Sequence, residues 1–323
     1  MKAIVYKRYG NPEVLKQENV PKPVPKENEV LVRVKATSLN MADLLVLTGK
    51  PIFARLMING LFKPKHTIVG SDFSGIVEAV GKDVTVYKPG NKVFGDLSRY
   101  GFGALSEYVC TTIKAIAKLP ENISFEEASA LPIAGCTALN GVRKQISIKP
   151  GDEVLVNGAS GCVGIYLVQL IKSYGAIVTG TCSKDKSHLV KDIGADYVID
   201  YRTEDFIYSD KQYDVIIDTA LYHHIKEYKN SLTEKGTHII IGGNVTRLFQ
   251  AMFLSPFLSR KNGRKTIVIN TNTKSKDLSD LAELVKSGII KIKIDKTFML
   301  ADAAEAFIYF GSKKACGKVV ITI

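Results

Sequence analysis

The stretch Val154-Leu155-Val156-Asn157-Gly158-Ala159-Ser160-Gly161-Cys162-Val163-Gly164 constrains this chain more than any other. An apolar run is followed by a glycine-rich turn, which predicts a strand, a tight turn and a helix beginning near Cys162. That arrangement sets backbone N–H groups and a positive helix end against an anion, and it suits the pyrophosphate of a dinucleotide. Glycine is needed where the turn is sharp and where a side chain would meet the phosphates. Ala159 stands where the usual fingerprint has its first glycine, so the turn alone is an incomplete match. Nineteen residues past Gly164 stands Ser183, near where an NAD-binding chain carries an acid for the ribose. The local sequence is Cys182-Ser183-Lys184-Asp185-Lys186. A 2′-phosphate would be repelled by a carboxylate and held by a hydroxyl and cations, so Ser183 and Lys186 favour NADPH. Asp185 keeps a ribose ligand open as the alternative.

The flanking sequence supplies two kinds of rhythm. Up to about residue 120 it is strand-rich: Glu29-Val30-Leu31-Val32-Arg33-Val34-Lys35-Ala36 alternates polar and apolar, as a strand with one buried face does. Pro21-Lys22-Pro23-Val24-Pro25 cannot join a central ladder and reads as a loop. Lys88-Pro89-Gly90 and Lys149-Pro150-Gly151 are turns that introduce strands. Short strands of this kind predict a small barrel or sandwich. From about residue 124, helical stretches alternate with the apolar segments Val154–Val156, Ile177–Thr181, Tyr197–Ile199, Val215–Ile217 and His238–Ile241. That alternation predicts right-handed βαβ units and a doubly wound parallel sheet, with ligands beyond the C-terminal strand ends. Ser160–Val163, Ser183, Tyr201, Ala220 and Gly242-Gly243 all follow such strands. A helix over Leu278–Lys286, the stretch Ile292–Phe298, a helix around Ala303–Tyr309 and a strand Lys318–Ile323 are expected to return to the first domain. The α/β chain therefore reads as a catalytic domain of residues 1–123 and 275–323 around a dinucleotide domain of residues 124–274.

Composition narrows the partners. The chain has 323 residues, 46% of them apolar and 24% charged, enough for two domains with ordinary cores. No run approaches the ~20 apolar residues of a membrane span. Met1–Lys7 reads as a strand rather than a signal peptide. The five cysteines have no disulfide or metal-ligand spacing, which points to a reducing, cytoplasmic setting. The net charge of +12 is spread along the chain, which argues for attraction of anionic small molecules and against nucleic acid.

Together, Asn40-Met41-Ala42-Asp43, Gly70-Ser71-Asp72-Phe73-Ser74-Gly75-Ile76-Val77, Ala159–Gly164, Gly194–Tyr201 and Gly317-Lys318-Val319-Val320 resemble the medium-chain dehydrogenase/reductase superfamily, in its zinc-free quinone oxidoreductase and enone reductase branch. The likeness covers essentially the whole chain. It implies a GroES-like catalytic domain made from both chain ends, a Rossmann domain between them, and an active site in the cleft. The zinc enzymes of that superfamily carry an early cysteine and a histidine–glutamate pair. Here those places fall in Ser38-Leu39-Asn40 and Ser71-Asp72, and His66 is too isolated to complete a set, so no metal is expected.

The resemblance also implies roles for particular residues. Ser160, Gly161, Cys162 and Val163 meet the pyrophosphate, while Ser183, Lys186 and Tyr201 meet the 2′-phosphate. Thr137, read as the start of the helix Thr137-Ala138-Leu139, lies beside the cofactor and can also act as its N-cap. Ala220 and Leu221 line the adenosine side. Gly242 and Gly243 approach the nicotinamide, with Asn270 and Thr271 at the same end. Asn40 and Asp43 match the active-site pair, with Asp43 equally readable as a structural acceptor. Tyr100 or Tyr108 could supply a proton. Tyr222-His223-His224 reads as capping or packing, and the apolar, cation-flanked segment 247–261 as a substrate mouth or subunit contact rather than a membrane anchor. The expected activity is NADPH-dependent hydride transfer to a quinone or enone, with a homodimer possible. The alternatives are a non-catalytic NADPH-binding redox sensor and a zinc-free alcohol dehydrogenase-like protein.

Overall fold

The computed structural model describes residues 1–52, 55–56, 59–143, 147–244, 246–248, 250–252, 263–269 and 272–323. The chain divides into two compact units. One comprises Met1–Ala134, Thr273–Lys286 and Ile292–Ile323, and the other Gly135–Asn272 and Ser287–Lys291.

In the first unit β1 (Lys2–Val5) and β2 (Lys16–Asn19) form an antiparallel ribbon. They are followed by β3 (Glu29–Ser38), α1 (Met41–Thr48), β4 (Asp72–Val80), β5 (Lys92–Asp96), β6 (Tyr108–Thr112), β7 (Ile116–Lys118) and the short helix α2 (Phe125–Ser129). β3 pairs with β4 along one edge and with β6 and the last strand of the chain along the other, so it is a central strand. Val30, Leu31 and Val32 are all buried, although strict alternation would have exposed Leu31. α2 starts with a capping box between Ser124 and Glu127, and Ser74 Oγ donates to the Phe125 carbonyl. Ala130 packs on Ala36 and Val320. These contacts move the first boundary from residue 123 to Ala134.

The helix α3 (Pro132–Arg143) leads to the second unit, where β8 (Glu153–Asn157), α4 (Gly164–Ser173), β9 (Ile177–Cys182), α5 (Ser187–Asp192), β10 (Tyr197–Asp200), β11 (Tyr213–Asp218), β12 (Leu232–Ile240) and β13 (Lys265–Val268) follow. The six strands are all parallel in the order β10-β9-β8-β11-β12-β13. This is the 3-2-1-4-5-6 order of a dinucleotide fold, with its switch point between β8 and β11. Val154, Leu155 and Val156 are fully buried, as a central parallel strand requires.

The C-terminal elements are α6 (Ser275–Lys286), β14 (Ile294–Met299), α7 (Ala303–Gly311) and β15 (Lys318–Thr322). β15 pairs antiparallel with β3, Val320 opposite Ser38, and completes the seven-stranded sheet of the first unit. The expected return of the chain end is therefore seen, with one exception. Residues 287–291 belong to the second unit, where Lys291 N–H and C=O both bond the amide of Gln169.

Candidate functional site

In the second unit the chain turns at Gly158–Val163, and α4 begins at Gly164, slightly later than the sequence suggested. Gly158 has φ +87, and a Cβ on it would lie 2.4 Å from Thr219 Oγ1. A Cβ on Gly164 would meet the Gly158 carbonyl at 2.2 Å. Gly161 by contrast faces open space, with only the Gly158 carbonyl at 3.3 Å. Gly158 is therefore required by its positive φ and the Thr219 side chain, Gly164 by close backbone packing, and Gly161, the fingerprint's middle glycine, has room on its open side. Ser160, Gly161, Cys162 and Val163 are all accessible. Their backbone stands at a helix N-terminus, an arrangement that can receive an anion.

Beneath this turn lies a buried polar hub. Asp218, at the end of β11, accepts from Asn157 Nδ2 at 3.0 Å, Ala220 N at 2.8 Å and Leu221 N at 2.6 Å. Its other oxygen accepts the Tyr228 hydroxyl and lies 3.7 Å from His238 Nε2. Asn157 Oδ1 in turn accepts from Thr181 Oγ1 at 2.6 Å, and that hydroxyl accepts from Gly158 N at 2.9 Å. Burial pushes the Asp218 carboxyl up, but neighbouring His238 and Tyr228 outweigh it and hold it below the usual carboxylate range. Leu221 has φ +50 and a fully buried side chain. It packs into the core, which corrects its assignment as an adenosine-lining side chain. Ala220 stays partly accessible. Gly243 has φ +115, and a Cβ there would lie 2.4 Å from the Ala220 backbone, whereas Gly242 has room.

At the end of β9, Ser183 is buried and donates to Asp185, while Lys186 is half-buried. Tyr201 leaves the paired strand β10 with its N–H on the Cys182 carbonyl at 3.2 Å. Ser183, Lys186 and Tyr201 thus gather at one sheet edge, where Arg202, missed in the sequence, pairs with Asp185 at 3.1 Å. Thr137 requires a second correction. Pro132 starts α3, so Thr137 lies inside the helix and is no N-cap. Asn270 and Thr271 lie outside the described residues, as does most of segment 247–261. His223 lies 3.2 Å from Asp205 and packs edge-on against Phe206, and His224 N–H caps against Glu227, as expected of packing and capping groups.

The first unit holds the other cluster. Asn40 precedes α1, and Asp43 Oδ2 accepts the Asn40 N–H at 2.8 Å while Oδ1 accepts the Ser71 hydroxyl. Asp43 is wholly buried and serves as a capping acceptor. The Asn40 side chain donates from Nδ2 to Asp72 Oδ2 at 2.8 Å and accepts from Lys318 Nζ at 2.7 Å. Lys318 is also wholly buried, 3.5 Å from Asp72 Oδ2 and 3.3 Å from the Leu39 carbonyl. Asp72 Oδ1 accepts the Ile133 N–H at 3.0 Å. Burial raises Asp43 to about 6 against the pull of Ser71, Asn40 and Lys318. It raises Asp72 to about 7 against Lys318, with Asp96 adding to the rise. The residues at the former zinc positions therefore do not fit a zinc ion. The donors are hydroxyls, an amide and one carboxylate, and an ammonium already neutralises that carboxylate. Among the described residues no group of three His, Cys, Asp or Glu could hold a metal. Lys318 was read only as the start of the last strand and as part of the Gly317-Lys318-Val319-Val320 likeness; nothing in its spacing marked it as the buried partner of Asn40 and Asp72.

Comparison with known proteins agrees with both halves. Residues 26–121 match the alcohol dehydrogenase GroES-like domain, and residues 193–321 match the zinc-binding dehydrogenase family. The chain is 34% identical to the chloroplastic quinone-oxidoreductase QR1 of Triphysaria versicolor, over 99% of this chain and 98% of that one. It is also 34% identical to the chloroplastic NADPH-dependent alkenal/one oxidoreductase of Arabidopsis thaliana, over 99% of this chain and 79% of the relative. The solved quinone oxidoreductase of Coxiella burnetii superposes with a TM-score of 0.89 at 30% identity, over 100% and 99% of the two chains.

Proposed function

Because the chain belongs to the quinone oxidoreductase branch of the medium-chain dehydrogenase/reductase superfamily, we propose that it is an NADPH-dependent reductase of quinones or α,β-unsaturated carbonyls that works without a metal. The observation that carries this reading is Lys318. Its ammonium is the fixed cation beside Asp72 and Asn40, in the place where a metal-dependent relative needs an empty ligand set. Without a Lewis acid to polarise an alkoxide, simple alcohols are poor substrates, and an acceptor activated by conjugation suits the site.

When bound, the nicotinamide supplies hydride from its C4 to a quinone or to the β-carbon of an enone. The chain's own residues bind and orient. The Gly158–Val163 turn holds the pyrophosphate, and the hydroxyl, cations and Tyr201 at the β9–β10 edge favour a 2′-phosphate over a bare ribose. Asn40 keeps one amide hydrogen that no described residue uses, and that hydrogen donates to the acceptor's oxygen as charge develops there. Asp43 and Lys318 are positioning residues for this amide. Solvent or an accessible tyrosine such as Tyr100 returns the proton. No helix of the described residues is long and apolar enough to cross a membrane, and the five cysteines are free thiols.

The test is oxidation of NADPH at 340 nm against panels of quinones and enones, with and without a chelator. Turnover unaffected by chelation is expected. Zinc-dependent turnover of simple alcohols with NAD, and none of quinones or enones, defeats the proposal. Tight NADPH binding with no turnover on any acceptor identifies a sensor instead.

A further inference from the structure

We propose that the Asp185–Arg202 ion pair is the cofactor selector of this enzyme: the guanidinium leaves Asp185 and takes the 2′-phosphate of the incoming dinucleotide. The inference rests on the NADPH reading above and names the residues that would enforce it.

β9 and β10 run parallel with Asp200 opposite Cys182, so Ser183 and Tyr201-Arg202 emerge from neighbouring strand ends. Asp185 stands close to the position of the acid that would accept the ribose hydroxyls of NAD. That carboxylate is already committed, because it accepts the Ser183 hydroxyl and lies 3.1 Å from Arg202 Nη1. The Ser183 hydrogen bond, followed by the charges of Arg202 and Lys186, holds it below its ordinary range. Arg202 has a single bond to this carboxylate, and both side chains are 59% exposed. An ion pair so exposed favours the closed form by about fivefold or less.

A 2′-phosphate carries a charge of about −1.5 to −2 at pH 7 and can receive the planar guanidinium in a fork, which a single contact with Asp185 does not match. Exchange is therefore downhill for NADPH. NADH brings nothing to pull Arg202 away, and its ribose hydroxyls must compete with Ser183 and Arg202 for the Asp185 oxygens. In the NADPH complex Asp185 is left beside the phosphate and opposes it, so the pair tempers affinity while it discriminates.

Wild type, Arg202→Gln, Arg202→Lys and Asp185→Asn are titrated with NADPH and with NADH by calorimetry, with thermal midpoints as a folding control. Wild type should prefer NADPH. Arg202→Gln should weaken NADPH by about tenfold or more and leave NADH within about twofold, as expected for a lost charged hydrogen bond. Arg202→Lys should recover part of the loss, because it restores charge without the fork. Asp185→Asn should tighten NADPH by about two- to fivefold. An Arg202→Gln enzyme that still prefers NADPH as strongly as wild type overturns the selector and leaves the NADPH reading standing. So does equal weakening of both nucleotides. A wild type that binds NADH as tightly as NADPH overturns that reading and the selector with it. Weaker NADPH binding by Asp185→Asn overturns the exchange.

Discussion

Both units of this protein bury aspartates completely, and burial pushes every one of them up, yet the net shifts run in opposite directions. Asp218 is held below the ordinary carboxylate range, while Asp43 and Asp72 rise to about 6 and about 7. The difference lies in what faces each group. Asp218 faces His238 Nε2 at 3.7 Å and accepts the Tyr228 hydroxyl, two backbone N–H groups and the Asn157 amide. In the first unit burial itself is the largest cause of the rise; Asp96 adds to it for both Asp43 and Asp72, Asp43 adds to it for Asp72, and Lys318 is the buried cation set against them. A buried carboxylate stays ionised when its partners outweigh desolvation, and gives up its charge when they do not and neighbouring carboxylates add to the rise. The donor-rich hub ties down the glycine turn at three strand ends, and the one around Lys318 holds a single amide, that of Asn40.

The contrast breaks most visibly at Asp218. Asp218→Ala strands buried donors from Asn157, Ala220, Leu221 and Tyr228, and should lower unfolding stability by about 3–5 kcal/mol. It should also abolish dinucleotide binding in whatever fraction stays folded, as read by urea denaturation and cofactor titration. A loss under about 1 kcal/mol would mean that the hub does not organise the turn.

Lys318→Met sharpens the other side. It leaves Asp72 without its counter-charge, and at pH 8 the cost should be about 2–4 kcal/mol. At pH 5 the Asp72 carboxyl, already raised to about 7, is neutral, so the same substitution should cost much less. Equal costs at both values would show that the ammonium matters by packing alone.

Much of this was legible in the sequence. The alternation of strands and helices after residue 124 carried the parallel sheet, because strands buried on both faces must be continuous and apolar. The glycine turn was read correctly as a place, and its helix start was displaced only slightly. The polar hubs could not be read. Asp218 and Lys318 act through partners far away in the chain, Asn157 and Asn40 respectively, and spacing carries no such information. Thr137 was misplaced because the helix start was taken from the threonine, while Pro132 earlier in the segment was the stronger signal. Leu221 was assigned to the ligand because it follows a strand end, and its positive φ turns it into the core instead.

The smallest expected effect separates the two hubs within one titration. Asp43 is raised in the folded state, so its contribution to stability is full below about pH 4 and is lost as pH rises through about 6. Asp218 is lowered, so its contribution is present above the unfolded carboxylate value near pH 4 and is lost as pH falls below it. Asp43→Asn removes the first dependence, so its deficit against wild type should shrink between pH 4 and pH 8 by on the order of 1 kcal/mol. Asp218→Asn removes the second, so its deficit should shrink on the acid side only, below about pH 4. Thermal midpoints of the three proteins across pH 3–8 read both limbs at once. If both variants flatten the same limb, the net shifts of the two aspartates run alike, and the groups facing Asp218 do not outweigh its burial.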